Sequence, residues 1–139
     1  MDLDARSTLE ALVAGTDGTD KVDLVVPPSS DFLRTIRLVA ADTAVRAGCD
    51  LDEVEDFRIA IDELSHLLMT ATDHTVHLTL AHVDGHVVGR GVARDRGGSV
   101  PIELDEVSSM IVSATTDGHR IERRDGSISF EVAKQVTSR

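Results

Sequence analysis

The chain of 139 residues contains no tryptophan and no tyrosine, and its only aromatic residues are Phe32, Phe57 and Phe130. Proteins that hold single-stranded nucleic acid usually stack its bases on aromatic side chains. This chain has too few rings to provide such a platform. Its core must be built from aliphatic residues, and hydrophobic residues reach 41% of the chain. That fraction and length are typical of one globular domain.

Basic residues are also scarce. The chain has 14 lysines and arginines against 25 aspartates and glutamates, which gives a formal net charge of -11. A surface this acidic repels a phosphate backbone, so direct binding of DNA or RNA is not expected. Two interpretations of the acidity stay open: it serves solubility alone, or it favours a basic protein partner.

Cysteines and long apolar runs are nearly absent. Cys49 is the only cysteine, so the chain can form no internal disulfide and no cysteine-based zinc site. The N-terminus, Met1-Asp2-Leu3-Asp4, is acidic where a secretion signal would be basic. No apolar stretch is long enough to cross a membrane. These features predict a cytoplasmic protein without membrane contact.

Composition divides the chain into three parts. Residues 1–20 end in a run of glycine, threonine and aspartate and are predicted to form a mobile N-terminal tail. Residues 21–135 are predicted to form a single domain. Residues 136–139 are predicted to be a short C-terminal tail.

Two helices are predicted after a first short strand. Ser29, Ser30 and Asp31 are suitable N-cap residues for the first helix. Its apolar face is predicted to contain Phe32, Leu33, Ile36, Val39, Ala40, Thr43 and Ala44. Asp50 and Glu53 have the spacing of a capping box at the start of the second helix. The buried stripe of that helix is predicted to contain Leu51, Val54, Phe57, Ile61, Leu64, Leu68 and Ala71.

After Thr75 the apolar period changes to two, which is typical of half-buried strands. Asp84-Gly85 and Asp125-Gly126 predict the turns of two β-hairpins. Gly89 and Gly91 are expected to weaken the strand that contains them. Four histidines lie near the first hairpin: His74, His77, His82 and His86. No carboxylates accompany them at fixed spacing, so no metal site is predicted.

A third helix is predicted between the hairpins, from Asp105 to about Thr115, with Gly118 ending it. Its apolar face is predicted to contain Val107, Met110, Ile111 and Ala114. The strands come in hairpins and not in crossover units. The predicted fold class is therefore α+β, a two-layer α/β sandwich with a mainly antiparallel sheet and three helices on one face.

Two segments carry a resemblance to a known family. Arg58-Ile59-Ala60-Ile61-Asp62-Glu63 resembles the second helix of the GHKL (histidine-kinase-like) ATPase superfamily, and Ser30-Asp31-Phe32-Leu33-Arg34 resembles the start of its first helix. Within the superfamily, the chain is similar to the anti-sigma-factor serine kinases of bacterial stress and sporulation switches. The resemblance extends from about residue 21 to residue 135 and implies the histidine-kinase-like ATPase (Bergerat) fold.

In that family a glutamate polarises the attacking group, and an asparagine four residues later holds Mg²⁺ against the phosphates of ATP. The resemblance makes Glu63 the candidate catalytic residue. The asparagine position falls on Leu67, or on His66 if the register slips by one. Neither side chain supplies the oxygen ligand that a hard cation requires. No cofactor is therefore expected, and ATP binding is expected to be lost.

The other nucleotide motifs of the family are incomplete as well. The motif Asp-x-Gly-x-Gly, whose aspartate contacts adenine, has its nearest match in residues 95–99. Asp95 and Gly97 fit the motif and are the candidate cofactor-binding residues. The glycine-rich lid corresponds to residues 101–108, which contain no glycine and are acidic. Such a segment repels a triphosphate.

Phe32 and Arg34 are the candidate partner-binding residues. In the first helix of the family, an arginine two residues after a phenylalanine contacts the sigma factor, and Phe32 and Arg34 keep that spacing. Arginine is also frequent at binding hot spots. The resemblance further implies a homodimer formed by the first helix and its neighbouring surface.

Three functional hypotheses follow from the resemblance. The leading one is an anti-sigma-factor-like transcription regulator that binds a sigma factor or an anti-sigma antagonist in a stress-response partner switch, without ATP. The second is an active serine kinase that uses Mg-ATP to phosphorylate an antagonist, with Glu63 as base and Asp95 on adenine. The third is a dimeric interaction domain that kept the fold and changed its partner.

Overall fold

A computed structural model describes residues 9, 14, 20–97 and 101–137 of the chain. Within these residues the elements are β1 Lys21–Val26, α1 Leu33–Arg46, α2 Leu51–Ala71, β2 Val76–Val83, β3 His86–Arg94, α3 Glu106–Thr115, β4 Gly118–Arg124 and β5 Ser127–Gln135. A 3-10 turn, Ser30–Phe32, precedes α1, and the side chain of Ser29 caps it. In the described part of the chain, no helix combines the length and the apolar character needed to span a bilayer.

The five strands form one antiparallel sheet in the order β1-β2-β3-β5-β4. The Asp-Gly turns join β2 to β3 and β4 to β5, which confirms both predicted hairpins. All four turn residues have positive φ angles: 47° at Asp84, 74° at Gly85, 52° at Asp125 and 82° at Gly126. A positive φ at both central residues is typical of the type I′ turn, whose twist matches that of the flanking strands.

The core lies between one face of the sheet and the three helices. On β5, Ile128, Phe130 and Val132 all point into it, as the alternating pattern predicts. The helices contribute Ile36, Ala40, Ala44, Phe57, Ala60, Ile61, Leu64, Leu68, Met69 and Val112. Burying one large aliphatic or aromatic side chain stabilises the fold by about 1.5–3 kcal/mol. The predicted fold class, a two-layer α/β sandwich with an antiparallel sheet and helices on one face, is confirmed.

Two glycines in β3 allow close packing of the core. A β-carbon on Gly91 would overlap the ring of Phe130, and one on Gly89 would overlap the end of the Ile61 side chain. The absence of side chains at these two positions lets β5 and α2 approach β3.

The exposure of several helix residues differs from the predictions. Leu51, assigned to the buried stripe of α2, is 81% exposed and is the first residue of the helix. Val107 and Met110 were predicted on the apolar face of α3, yet both are 66% exposed, and Val112 is the residue of this helix that is fully buried. Gly118 does not end α3 but begins β4.

On the opposite face of the sheet, Leu9 packs against the strands. Leu9 is helical and only 4% exposed, and it belongs to an apolar cluster with Ala81, Val83, Val88 and Ala133. These four residues lie on strands β2, β3 and β5. Apart from Leu9, Ala14 and Asp20, the residues of the predicted N-terminal tail lie outside the described residues.

Glu53 connects the start of α2 to the C-terminal end of the chain. The predicted capping box is present: the backbone N–H of Glu53 donates to Asp50 Oδ1 at 2.8 Å, and that of Asp50 donates to Glu53 Oε1 at 2.9 Å. The second carboxylate oxygen accepts from the backbone N–H of Thr137 at 2.9 Å and from the Thr137 hydroxyl. Glu53 is therefore a buried carboxylate that satisfies donors on two segments.

Replacing Glu53 by alanine is expected to lower the free energy of unfolding by about 2–3 kcal/mol, because it leaves donors on Asp50 and Thr137 without their charged acceptor. Urea denaturation of the full chain measures the effect. Glu55→Ala is the matched control, since the Glu55 side chain is 56% exposed on the same helix. Equal stability of the two variants would contradict the assigned role.

Candidate functional site

Glu63 lies in the second half of α2 and is half-buried. Within the described residues, its carboxylate forms no hydrogen bond or ion pair. Its neighbour Asp62 has a different surrounding: Arg37 Nη1 on α1 lies 2.9 Å from Asp62 Oδ1. Asp62 thus helps to hold α1 against α2, whereas Glu63 remains available to a ligand or partner.

Leu67, one helical turn after Glu63, lines a hollow of about 250 Å³ next to the end of α2. The hollow is lined by Leu67, Thr70, Ala71, Arg96, Gly97, Pro101, Ile102 and Arg123. Glu63 does not line it, and His66 is exposed. The described part of the chain also brings no group of three histidine, cysteine, aspartate or glutamate side chains together as metal ligands. Leu67, which the sequence resemblance aligns with the metal-binding asparagine, is thus an apolar side chain in this hollow.

Asp95 is already occupied by contacts within the protein. Arg123 Nε lies 2.6 Å from Asp95 Oδ2, and the backbone N–H of Gly97 donates to Asp95 Oδ1 at 2.9 Å. The Asp95 side chain is only 10% exposed. Gly97 has a φ of 98°, a conformation that favours glycine. The structure therefore brings Asp95 and Gly97 together, but uses the carboxylate in an ion pair.

Arg96 narrows the same hollow from the side of the loop. Its guanidinium donates to the backbone carbonyl of Thr70 and lies 3.5 Å from Asp73 Oδ1. The backbone N–H of Arg96 also donates to the Ala71 carbonyl at 3.0 Å. The loop after β3 is thereby fastened to the end of α2. The rest of the predicted adenine motif, residues 98–99, lies outside the described residues.

The N-terminus of α3, which the sequence resemblance implies as the phosphate position, is capped by a carboxylate of the chain itself. Asp105 Oδ1 accepts from the backbone N–H of Ser108 at 2.8 Å. This hydrogen bond is the main cause that lowers the pKa of the Asp105 carboxyl below its ordinary value. Glu106 adds a second negative charge in the first turn. Both charges compete with a phosphate for the positive end of the helix.

His119 on β4 lines another hollow of about 380 Å³, together with Glu103, Leu104, Ser109 and Arg120 among others. Burial lowers the pKa of the His119 imidazole below its ordinary value of 6.5. The unfolded chain therefore binds a proton at this residue more readily than the folded protein. The stability contributed by neutral His119 is complete above pH 6.5 and is lost as the pH falls through and below that value.

The variant His119→Gln, which cannot titrate, is expected to show a smaller loss of stability between about pH 7.5 and pH 5.5 than the unmodified chain. Urea denaturation at a series of pH values measures the slope. His82→Gln serves as control, because His82 is exposed on β2. Identical slopes for His119→Gln and the unmodified chain would be evidence against this linkage.

The predicted partner-binding residues both lie on the surface. Phe32 ends the 3-10 turn before α1 and is 38% exposed, although it was also predicted on the apolar face of the helix. Phe32 belongs to the 3-10 turn and precedes α1, so the predicted helical stripe does not extend to it. Arg34 lies in the first turn of α1, exposed and without an ion pair among the described residues. Both side chains are accessible to a second protein.

Sequence reasoning missed two further residues of this surface. Leu38 is 65% exposed and Val45 is 61% exposed, and both lie on the solvent face of α1. They follow Arg34 by four and eleven residues, which places all three along one side of a helix. A signal was available, because neither residue fits the buried stripe that contains Ile36, Ala40 and Ala44. Large apolar residues outside a core stripe indicate a second contact face.

Comparisons with known proteins give a structural match. No protein-family model matches the chain, and no curated protein matches it. Among solved structures, the chain is similar to the crystal structure of the RsbU and RsbW domains of Rv1364c from Mycobacterium tuberculosis, with a TM-score of 0.67 and 18% sequence identity. The match covers 85% of this chain and 33% of that chain. The chain therefore shares its antiparallel, three-helix fold with a solved protein that contains an RsbW domain.

Proposed function

We propose that the chain is an anti-sigma-factor-like regulator of transcription that acts by binding another protein, either a sigma factor or an anti-sigma antagonist. The observation that carries the proposal is an exposed row of Arg34, Leu38 and Val45 along one side of α1, with Phe32 exposed at the N-terminal end of the helix; we name these four residues the α1 surface. It combines apolar area with an arginine, the composition that binding hot spots favour. The fold shared with an RsbW-containing chain supports this class of partner. A cytoplasmic location belongs to the same proposal.

The proposed mechanism is sequestration, which needs surface complementarity and no chemistry. An exposed guanidinium pairs with a partner carboxylate through two parallel hydrogen bonds, and Leu38 and Val45 add apolar contact. The state of the nucleotide region supports a mechanism without ATP. Leu67 lies in place of a metal ligand, Asp95 is paired with Arg123, and Asp105 caps α3.

Truncation of the α1 surface is expected to weaken binding to a purified sigma factor or antagonist of the same host by about tenfold or more for each hot-spot residue. Arg34→Ala and Leu38→Ala are the test variants, measured by calorimetry with the full chain. Arg58→Ala and Leu51→Ala are matched controls on the neighbouring helix, where Leu51 is 81% exposed. Unchanged affinity in the test variants, or binding to no such partner, would refute the proposal.

The alternative of an active serine kinase rests on one observation. Glu63 is half-buried, and its carboxylate forms no hydrogen bond or ion pair within the described residues. Such a carboxylate is free to accept a proton as a general base. The kinase would need Asp95 to leave Arg123 and contact adenine.

The homodimer implied by the family resemblance also remains a prediction, which light scattering of the purified chain would test.

A further inference from the structure

A hollow of about 1000 Å³ lies on the face of the sheet opposite the helices, beside the area that Leu9 covers. It is lined by His74, Thr75, His77, Thr79, Arg90, Val92, Ala93, Arg94, Asp125, Gly126 and Ser127. We name this region the outer groove. The register places His77 opposite Val92 and Thr79 opposite Arg90, so these side chains share one face of the sheet.

The outer groove is basic in a strongly acidic protein. Its lining contains two arginines and one aspartate, whereas the whole chain has 14 basic and 25 acidic residues. Arg90 and Arg94 are both exposed. Neither guanidinium forms an ion pair within residues 20–97 and 101–137. Two unpaired cations on one strand are available to a negatively charged ligand.

The spacing of the two arginines shows what kind of anion fits. They are four residues apart on β3, so their Cα atoms lie about 13 Å from each other. At this separation, each guanidinium can pair with its own anionic group. The half-buried Val92 lies between them. Val25, which is 54% exposed, lies in the same cross-strand row on the far side of His77. The groove thus has one apolar side chain, Val92, between its two cations.

We propose that the outer groove binds an acidic amphipathic segment of a partner protein. In a helix, residues two turns apart are separated by about 11–12 Å along the axis. Two carboxylates at that spacing match Arg90 and Arg94, and apolar residues between them would contact Val92. Nucleic acid fits less well, because the net charge of -11 repels its backbone and the described groove lining contains no phenylalanine, tyrosine or tryptophan. The proposal does not depend on the α1 surface.

The test uses the full chain and a fluorescein-labelled helical peptide of about 15 residues, with glutamates two turns apart and leucines between them. A matched peptide carries glutamine in place of glutamate. By fluorescence anisotropy, the glutamate peptide is expected to bind, and the glutamine peptide to bind about tenfold more weakly or not at all. Arg90→Glu with Arg94→Glu is expected to abolish binding, and raising the salt from about 50 to 200 mM is expected to weaken it.

Two controls separate charge from folding. Arg90→Gln with Arg94→Gln removes the cations without adding like charge and is expected to weaken binding about tenfold. Arg58→Glu changes an arginine on α2, away from the groove, and is expected to leave peptide affinity unchanged. Circular dichroism melting curves show whether each variant is folded.

Several outcomes would overturn the proposal. These are no binding at about 1 mM peptide, equal binding of both peptides, or full binding by folded Arg90→Gln/Arg94→Gln. Tighter binding of a single-stranded oligothymidine that needs the same arginines would assign the groove to nucleic acid. If the unmodified chain formed a dimer and the arginine variants did not, the groove would be assigned to a second copy of the chain. If the variant Asp2→Asn/Asp4→Asn bound the glutamate peptide more tightly than the unmodified chain, the groove would be assigned to the acidic N-terminus of the chain itself.

Discussion

Replacing Gly91 by alanine is expected to lower the free energy of unfolding by about 2–3 kcal/mol and the melting temperature by about 10 °C. The added methyl group would occupy space that the edge of the Phe130 ring fills. Phe130 is only 1% exposed, so the ring has no free volume into which it can move. Strand β3 would have to separate from β5, or the ring would have to leave its rotamer. Thermal unfolding of the full chain measures the result.

Two other glycines provide controls for this experiment. A β-carbon on Gly118 would meet no atom within 4 Å, so Gly118→Ala is expected to be neutral. Gly89→Ala is expected to have an intermediate effect, because the overlapping atom is the end of the flexible Ile61 side chain. Adding Phe130→Leu to Gly91→Ala should recover part of the loss, which a double-mutant cycle would show. Equal melting temperatures for Gly91→Ala and Gly118→Ala would contradict this account of the packing.

Titration of the purified chain with Mg-ATP up to about 5 mM is expected to give no saturable heat. Three contacts oppose nucleotide binding, each at a different part of the ligand. Leu67 offers no oxygen to Mg²⁺. Asp95 accepts from Arg123 and Gly97 in place of adenine. Asp105 caps the helix that would meet the phosphates. Phosphoryl transfer, about 1–100 s⁻¹ in active protein kinases, should therefore be undetectable.

Two single substitutions serve as controls for the Mg-ATP titration. Leu67→Asn introduces the asparagine that the resemblance implies at this position. Asp95 and Asp105 keep their hydrogen bonds within the protein, so this variant is also expected not to bind Mg-ATP. Glu63→Ala is the control if the unmodified chain does bind Mg-ATP. Saturable heat in the unmodified chain, together with phosphorylation of an antagonist that Glu63→Ala abolishes, would establish the kinase alternative instead. The α1 surface would then retain its own test, because Arg34 and Leu38 belong to a different part of the molecule.

The sequence by itself determined the features that depend on near neighbours. The Asp-Gly dipeptides specified both hairpins because their positive φ angles match type I′ turns. The capping box formed because Asp50 and Glu53 are three residues apart. The alternation of Ile128, Phe130 and Val132 specified which face of β5 is buried. Local geometry and apolar period were sufficient for the fold class.

Only the tertiary structure decided contacts between residues far apart in sequence. Asp95 meets Arg123, 28 residues later, because β5 places β4 near the end of β3. Glu53 meets Thr137, 84 residues later. Gly91 needs no side chain because Phe130 lies across from it in the sheet.

The basic outer groove likewise exists only once strands β2, β3 and β5 are paired. The period of two places Arg90 and Arg94 on one face of β3, but only the pairing register brings His77 of β2 onto the same face beside them. Pairing of distant strands depends on burial of the whole sheet and not on any local signal. The sequence therefore determined the elements and their buried faces, and the tertiary structure decided which polar side chains are paired and which remain available to a partner.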